Sequence, residues 1–214
     1  MEQNEKYGVK YFESETDSDS KIFTNNSNEL YSYKVFCGAF DLSVEAGDSL
    51  IYLDSDLGCA YWVSGPCHIN SAHFAVMLRG YQCGDKACSL SETTNLPYVN
   101  GCSTRQIFSP ERIGDPTLQQ LTIPPHTSEQ VHHIHPTARA VFVLSGEGYS
   151  LVGQSGDVQE VKLTKGMVCV LDPMCPHHFR TDGKSLTVLP VHVWSSTPAS
   201  MESNHPMFNG TKEV

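Results

Sequence analysis

Five of the ten histidines in this 214-residue chain fall in two short windows, HHIHPTARAVFVLSGEG from His132 to Gly148 and PHHF from Pro176 to Phe179. His133 and His135 stand two residues apart at the head of an apolar run. Side chains alternate between faces along a strand, so both imidazoles would point one way while His132 and Ile134 point the other. A third imidazole, from His177 at the start of another strand-like segment, could complete a facial set around one divalent ion and leave positions open for water or substrate. The alternative for these three is a metal-free barrel with polar residues in its lumen. By the same alternation His132 and His178 belong on the outer face, as surface, interface or supporting histidines. His192, in LPVHVW on a late strand, is a candidate fourth ligand or acid-base group.

Holding such a set in place calls for strands, and the pattern supplies them. From about Leu30 the chain runs through short apolar stretches, among them YSYKVF, SLIYL, CAYWVSG and HFAVMLRGY, with Gly47-Asp48 and Gly65-Pro66 as punctuation. No window of helical length carries an apolar stripe of helical period. Residues 1–29 are polar and predict a flexible arm, and 30–114 predict an N-terminal β extension. Within that block Gln82 to Gly114 is expected as a long connection with a turn of helix at SPER. Residues 115–195 hold the histidines and enough strands for a barrel, and 196–214 predict a polar tail.

The spacing of these residues resembles the two motifs of the cupin superfamily. Its first motif has Gly, five residues, His-x-His, three or four residues, Glu, six residues and Gly. The second has Gly, five residues, Pro-x-Gly-x-x-His, three residues and Asn. His133, His135 and Gly146 fall in register with the first, Gly166 and His177 with the second. Thr127 stands at the first Gly, Arg139 replaces the Glu, Asp172 and Met174 replace the Pro and the second Gly, and Thr181 replaces the Asn. The resemblance covers Leu118 to Trp194. It implies an all-β fold, a cupin (double-stranded β-helix, jelly-roll) barrel, with 30–114 either an extension or a degenerate cupin half. AGDSLIYL in that block echoes KGMVCVLD.

What the resemblance implies for chemistry is one divalent ion on His133, His135 and His177, with Fe(II) favoured and Zn, Ni, Mn or Cu as alternatives. Three-histidine cupins of this kind include dioxygenases, so the expected reaction is an oxidation of a small anionic metabolite, with Arg139 and His192 as the catalytic groups. Alternatives are a zinc-type isomerase, lyase or bond-forming enzyme, or a non-catalytic small-molecule sensor. Arg139 is the departure that says most. Without the carboxylate the metal keeps its full charge, and an inward guanidinium about 6 Å away would repel it by roughly 5 kcal/mol at an effective dielectric near 20. A substrate carboxylate bridging metal and guanidinium fork would offset this. The other outcome is an Arg139 turned to the rim and paired with an acidic side chain.

Composition narrows the partners. A formal charge of −10 opposes binding to nucleic acid or an anionic membrane. No apolar run reaches membrane-spanning length, and MEQNEKYGVK lacks the apolar core of a secretory signal, so a cytoplasmic location is expected. The eight cysteines follow no regular framework and are expected as reduced thiols, with Cys169 and Cys175 in the core. Exposed edge strands favour a homodimer.

Overall fold

The structure is a computed structural model that describes residues 2–4, 6–13, 21–24, 33–54, 56–111 and 114–194. The expected C-terminal tail lies outside the described residues, as does much of the expected N-terminal arm. In chain order the strands are β1 (Glu2–Asn4), β2 (Val9–Phe12), β3 (Lys21–Thr24), β4 (Tyr33–Val44), β5 (Ser49–Leu53), β6 (Cys59–Ser64), β7 (Cys67–Leu78) and β8 (Lys86–Ser89). There follow β9 (Leu96–Pro97), β10 (Ser103–Phe108), β11 (Thr117–Ile123), β12 (Thr137–Gln154), β13 (Asp157–Thr164), β14 (Val168–Leu171), β15 (His177–Arg180) and β16 (Leu186–Trp194). No α-helix occurs among the described residues. Among the described residues the one helical turn is a 3-10 turn at Val99–Gly101, and Ser109–Glu111, in the segment expected to hold a turn of helix, are irregular.

The chain divides into two compact units, one of Ser18–Ser89 and the other of Met1–Asp17 with Leu90–Trp194. The division therefore falls near Ser89, not Gly114, because β10 pairs with β11 and carries the preceding segment into the second unit. In the first unit a six-stranded antiparallel sheet runs β3-β4-β7-β5-β6-β8. Its apolar residues Val35, Leu50, Leu53, Phe74 and Val76 are fully buried, and the Trp62 indole finds a hydrogen-bond partner in Ser49 Oγ at 3.1 Å.

The second unit is a curled antiparallel sheet ordered β1-β2-β14-β12-β16-β11-β10-β9, with β13 and β15 both paired to β12. Residues expected in the flexible arm belong to it. Strand β2 lies against β14 with Tyr11 opposite Cys169, and buried Tyr11 donates its hydroxyl hydrogen to Ser150 Oγ at 3.0 Å. Strand β12 organises the jelly roll. Its first half pairs with β14 and β16, and its second half with β13 and β15. The change of partners follows a bulge between Val143 and Ser145, beside Gly146 at φ +80°. A Cβ on Gly146 would lie 1.9 Å from the Ser185 carbonyl oxygen, so both the backbone angle and the close approach require glycine. The core behind this corner is built from Val141, Val143, Val152, Leu163, Leu186 and Val188.

Candidate metal centre

His177 opens β15 as its alternation suggests. The His-x-His pair, expected within a strand, lies just ahead of β12 in irregular backbone. A single antiparallel bridge fixes it there: His133 N–H donates to the His177 carbonyl at 3.1 Å, and His177 N–H donates back at 2.9 Å. Residues directly opposite in such a bridge project to the same side. His135 is held by its own carbonyl, which accepts Met174 N–H at 2.7 Å. The three rings come together with centroids 4.5 Å (133–135), 4.8 Å (133–177) and 5.5 Å (135–177) apart. One ligand nitrogen from each lies within 4.8 Å of the others.

Tautomers follow from the hydrogen bonds. His133 Nδ1 donates to the Val131 carbonyl at 2.8 Å and His177 Nδ1 to the Cys175 carbonyl at 2.7 Å. Each Nε2 is then a lone pair. The Nε2 atoms of His133 and His135 are buried and have no partner. Orphaned buried acceptors are costly, and a divalent cation accepting all three lone pairs would satisfy them, so the residues present fit a metal. Burial, together with the Arg139 charge, pushes His135 down to about 4 and His177 to about 3, the latter against the opposing pull of the Cys175 carbonyl. Both rings are therefore in the neutral, ligating form at neutral pH.

Arg139 is turned inward. It sits on β12 directly opposite His192 on β16, and His192 in turn faces Thr117 on β11, so the three form one row on the lumen face. Arg139 Nη1 donates to His177 Nε2 at 3.2 Å, while its Nε is buried without a partner. Burial lowers the guanidinium to about 10, still charged at neutral pH. His192 Nε2 is also buried and unpartnered, and desolvation first, then Arg139, hold that imidazole near 3. The neighbouring rows are Val141 opposite Pro190, then Val143 opposite Val188 opposite Leu121, which give the lumen an apolar floor. A cavity of about 370 Å³ opens over these rows, within the usual size for a small-molecule site.

Sequence patterns did not single out Glu129. It lies four residues before His133, is 5% exposed, lines the same cavity, and its Oε2 has no hydrogen-bond partner. Desolvation raises its carboxyl, and the neighbouring His133 ring, the Phe179 backbone and the Arg139 charge pull it back. Nothing in SEQVHH distinguishes it from a loop carboxylate, since the inward turn is set by the Glu129 N–H bond to the Phe179 carbonyl at 2.9 Å. The outer-face histidines do pair. His132 Nε2 donates to the Gly153 carbonyl at 2.5 Å, which leaves its Nδ1 to accept from His178 Nδ1 at 2.8 Å. Cys169 and Cys175 are buried thiols, both raised by burial, Cys175 to about 12. None of the eight cysteines is in a disulfide.

Comparison with known proteins agrees with this architecture. Residues 119–194 match the family model of the cupin domain. No curated protein matches the sequence. Among solved structures, a Pseudomonas aeruginosa protein named as glyoxylate-induced aligns over 91% of this chain and 92% of its own, at 11% identity and a TM-score of 0.62. Streptomyces albus HEPD, with 2-hydroxyethylphosphonate and Fe(II) bound, aligns over 92% of this chain and 78% of its own, at 8% identity and 0.60. Escherichia coli YlbA aligns over 87% and 91%, at 11% identity and 0.58. At such identities the likeness is one of fold. It is residues 119–194, from within β11 to the end of β16, that carry the match to the cupin domain.

Proposed function

We propose that the chain is a mononuclear-metal cupin enzyme that oxidises a small anionic metabolite, with Fe(II) on His133, His135 and His177. The observation that carries this reading is the pair of buried, unpartnered Nε2 atoms on His133 and His135, set beside His177, with His135 lining the cavity. HEPD, whose structure holds Fe(II) and a small anionic substrate in a similar fold, supports it by analogy. Bound there, the ion would supply Lewis acidity and, as iron, redox chemistry toward dioxygen.

The chain's own residues supply the rest. Arg139 presents a charged fork into the cavity and binds the substrate's carboxylate, fixing its orientation. His192, neutral and with Nε2 unpartnered, accepts a hydrogen bond from a donor on the bound substrate and so orients it beside Arg139. The apolar floor of Val141, Val188 and Leu121 excludes water from the far end of the cavity.

Untagged protein loaded anaerobically with Fe(II) and desalted tests the assignment. One iron per chain and a nitrosyl-iron paramagnetic resonance signal on adding nitric oxide are the expected results. Retention of zinc with refusal of iron would replace the oxidation with a non-redox reaction.

A further inference from the structure

The cavity wall carries two charged side chains of opposite sign, each with one buried atom that has no hydrogen-bond partner. Arg139 Nε is a buried donor without an acceptor, and Glu129 Oε2 is a buried acceptor without a donor. The two side chains face the same cavity and influence each other electrostatically, yet neither of these atoms is hydrogen-bonded to the other. A 5%-exposed carboxylate oxygen without a donor from the protein costs free energy, and direct pairing with Arg139 would have offset part of the cost. Keeping them apart leaves room for a molecule that satisfies both, with an acceptor for the guanidinium and a donor for the carboxylate.

We propose that Glu129 is the specificity-determining residue of this pocket, selecting carboxylates that carry their own hydrogen-bond donor, such as a 2-hydroxyl or 2-amino group, over plain carboxylates. This rests on the reading of Arg139 as the carboxylate clamp and adds the second contact. A plain carboxylate fills the Arg139 side and leaves Glu129 Oε2 dry and unpartnered. A donor-bearing acid places its O–H or N–H on that oxygen. Sites built to hydrogen-bond a substrate hydroxyl or amine discriminate strongly against the analogue that lacks it, because the protein group is then stranded. The wall nearby is suited to a short polar ligand: Gln106 and Gln119 face each other across β10 and β11 beside Pro190.

Calorimetric titration of the metal-loaded protein with propionate, lactate and alanine tests this. Lactate and alanine are expected to bind about tenfold or more tightly than propionate. Glu129→Gln and Glu129→Leu should shrink that preference to about threefold or less while propionate affinity holds or rises. Arg139→Ala should weaken all three acids together. A preference that survives both Glu129 variants would belong to chelation by the metal and overturns the proposal. Should those variants fail to fold, wild-type protein stripped of metal decides, since chelation is then absent, and loss of the preference there overturns the proposal as well. If wild-type protein binds none of the three acids, the Arg139 clamp itself is wrong. If it binds all three equally, the clamp stands and the Glu129 assignment falls.

Discussion

Arg139 Nη1 donates to His177 Nε2 across 3.2 Å, so the guanidinium holds the lone pair that a metal ion would need. One lone pair cannot serve both. Metal binding at this centre therefore requires Arg139 to release His177, and the cation and the guanidinium also repel. Arg139→Met, which keeps the stem's packing and removes the charge, should tighten divalent-metal affinity by about tenfold or more. Competition with a chromophoric chelator measures this, and unchanged affinity would mean that the side chain swings clear without cost.

Replacing His133 and His135 together with Ala removes two of the three candidate ligands and should reduce bound metal from one per chain to background. Elemental analysis gives the count. Far-ultraviolet circular dichroism should keep its β signature, because the two side chains contribute little to the apolar core.

The metal-free protein should lose stability as pH falls. The unfolded chain protonates histidine from its ordinary value of 6.5, whereas the folded values of His135, His177 and His192 are depressed to about 4, about 3 and about 3. Their contribution is thus complete above 6.5 and is lost progressively below it, as the unfolded state takes up protons first. Glu129, raised by burial from 4.5, contributes the opposite slope just above that value. The comparison to make is therefore urea midpoints of wild type and His192→Phe at about pH 7.5 and about pH 5.5, with the smaller drop expected in the variant. Equal drops would remove His192 from the buried neutral set.

Gly146→Ala should destabilise the barrel by about 2 kcal/mol or more, because a left-handed backbone angle and a collision with the Ser185 carbonyl act together. Equilibrium denaturation reads the change directly.

How far these features could be read ahead of the structure depended on how local they were. The His-x-His spacing, the late imidazole of His177 and the corner glycine are set by short-range sequence, although the pair itself lies ahead of β12 and not within a strand. Arg139 and His192 were legible as candidates through their place in the pattern, but their facing relationship is a matter of register between β12 and β16, strands separated by three others in sequence. Glu129 left no signal, because its burial comes from the bridge of Ser128 to Arg180 and the Glu129 bond to Phe179, both long-range. Strand β2 was hidden for a similar reason. VKYF is short and follows a polar stretch, and only its partner β14, more than 150 residues later, makes it a strand.

Strand β12 touches β13, β14, β15 and β16, and so stitches both walls of the lumen with one continuous backbone. Parting the walls would break ladders on both sides of it at once, which ties any such opening to global unfolding. Its amides should therefore exchange with solvent deuterium slowest of any in the domain. Ligands must then come and go through fluctuations of the irregular stretches beside the histidines, residues 124–136 and 172–176, whose amides should exchange by local opening. The residence time of a bound ligand would accordingly track the motion of those two loops and be insensitive to barrel stability.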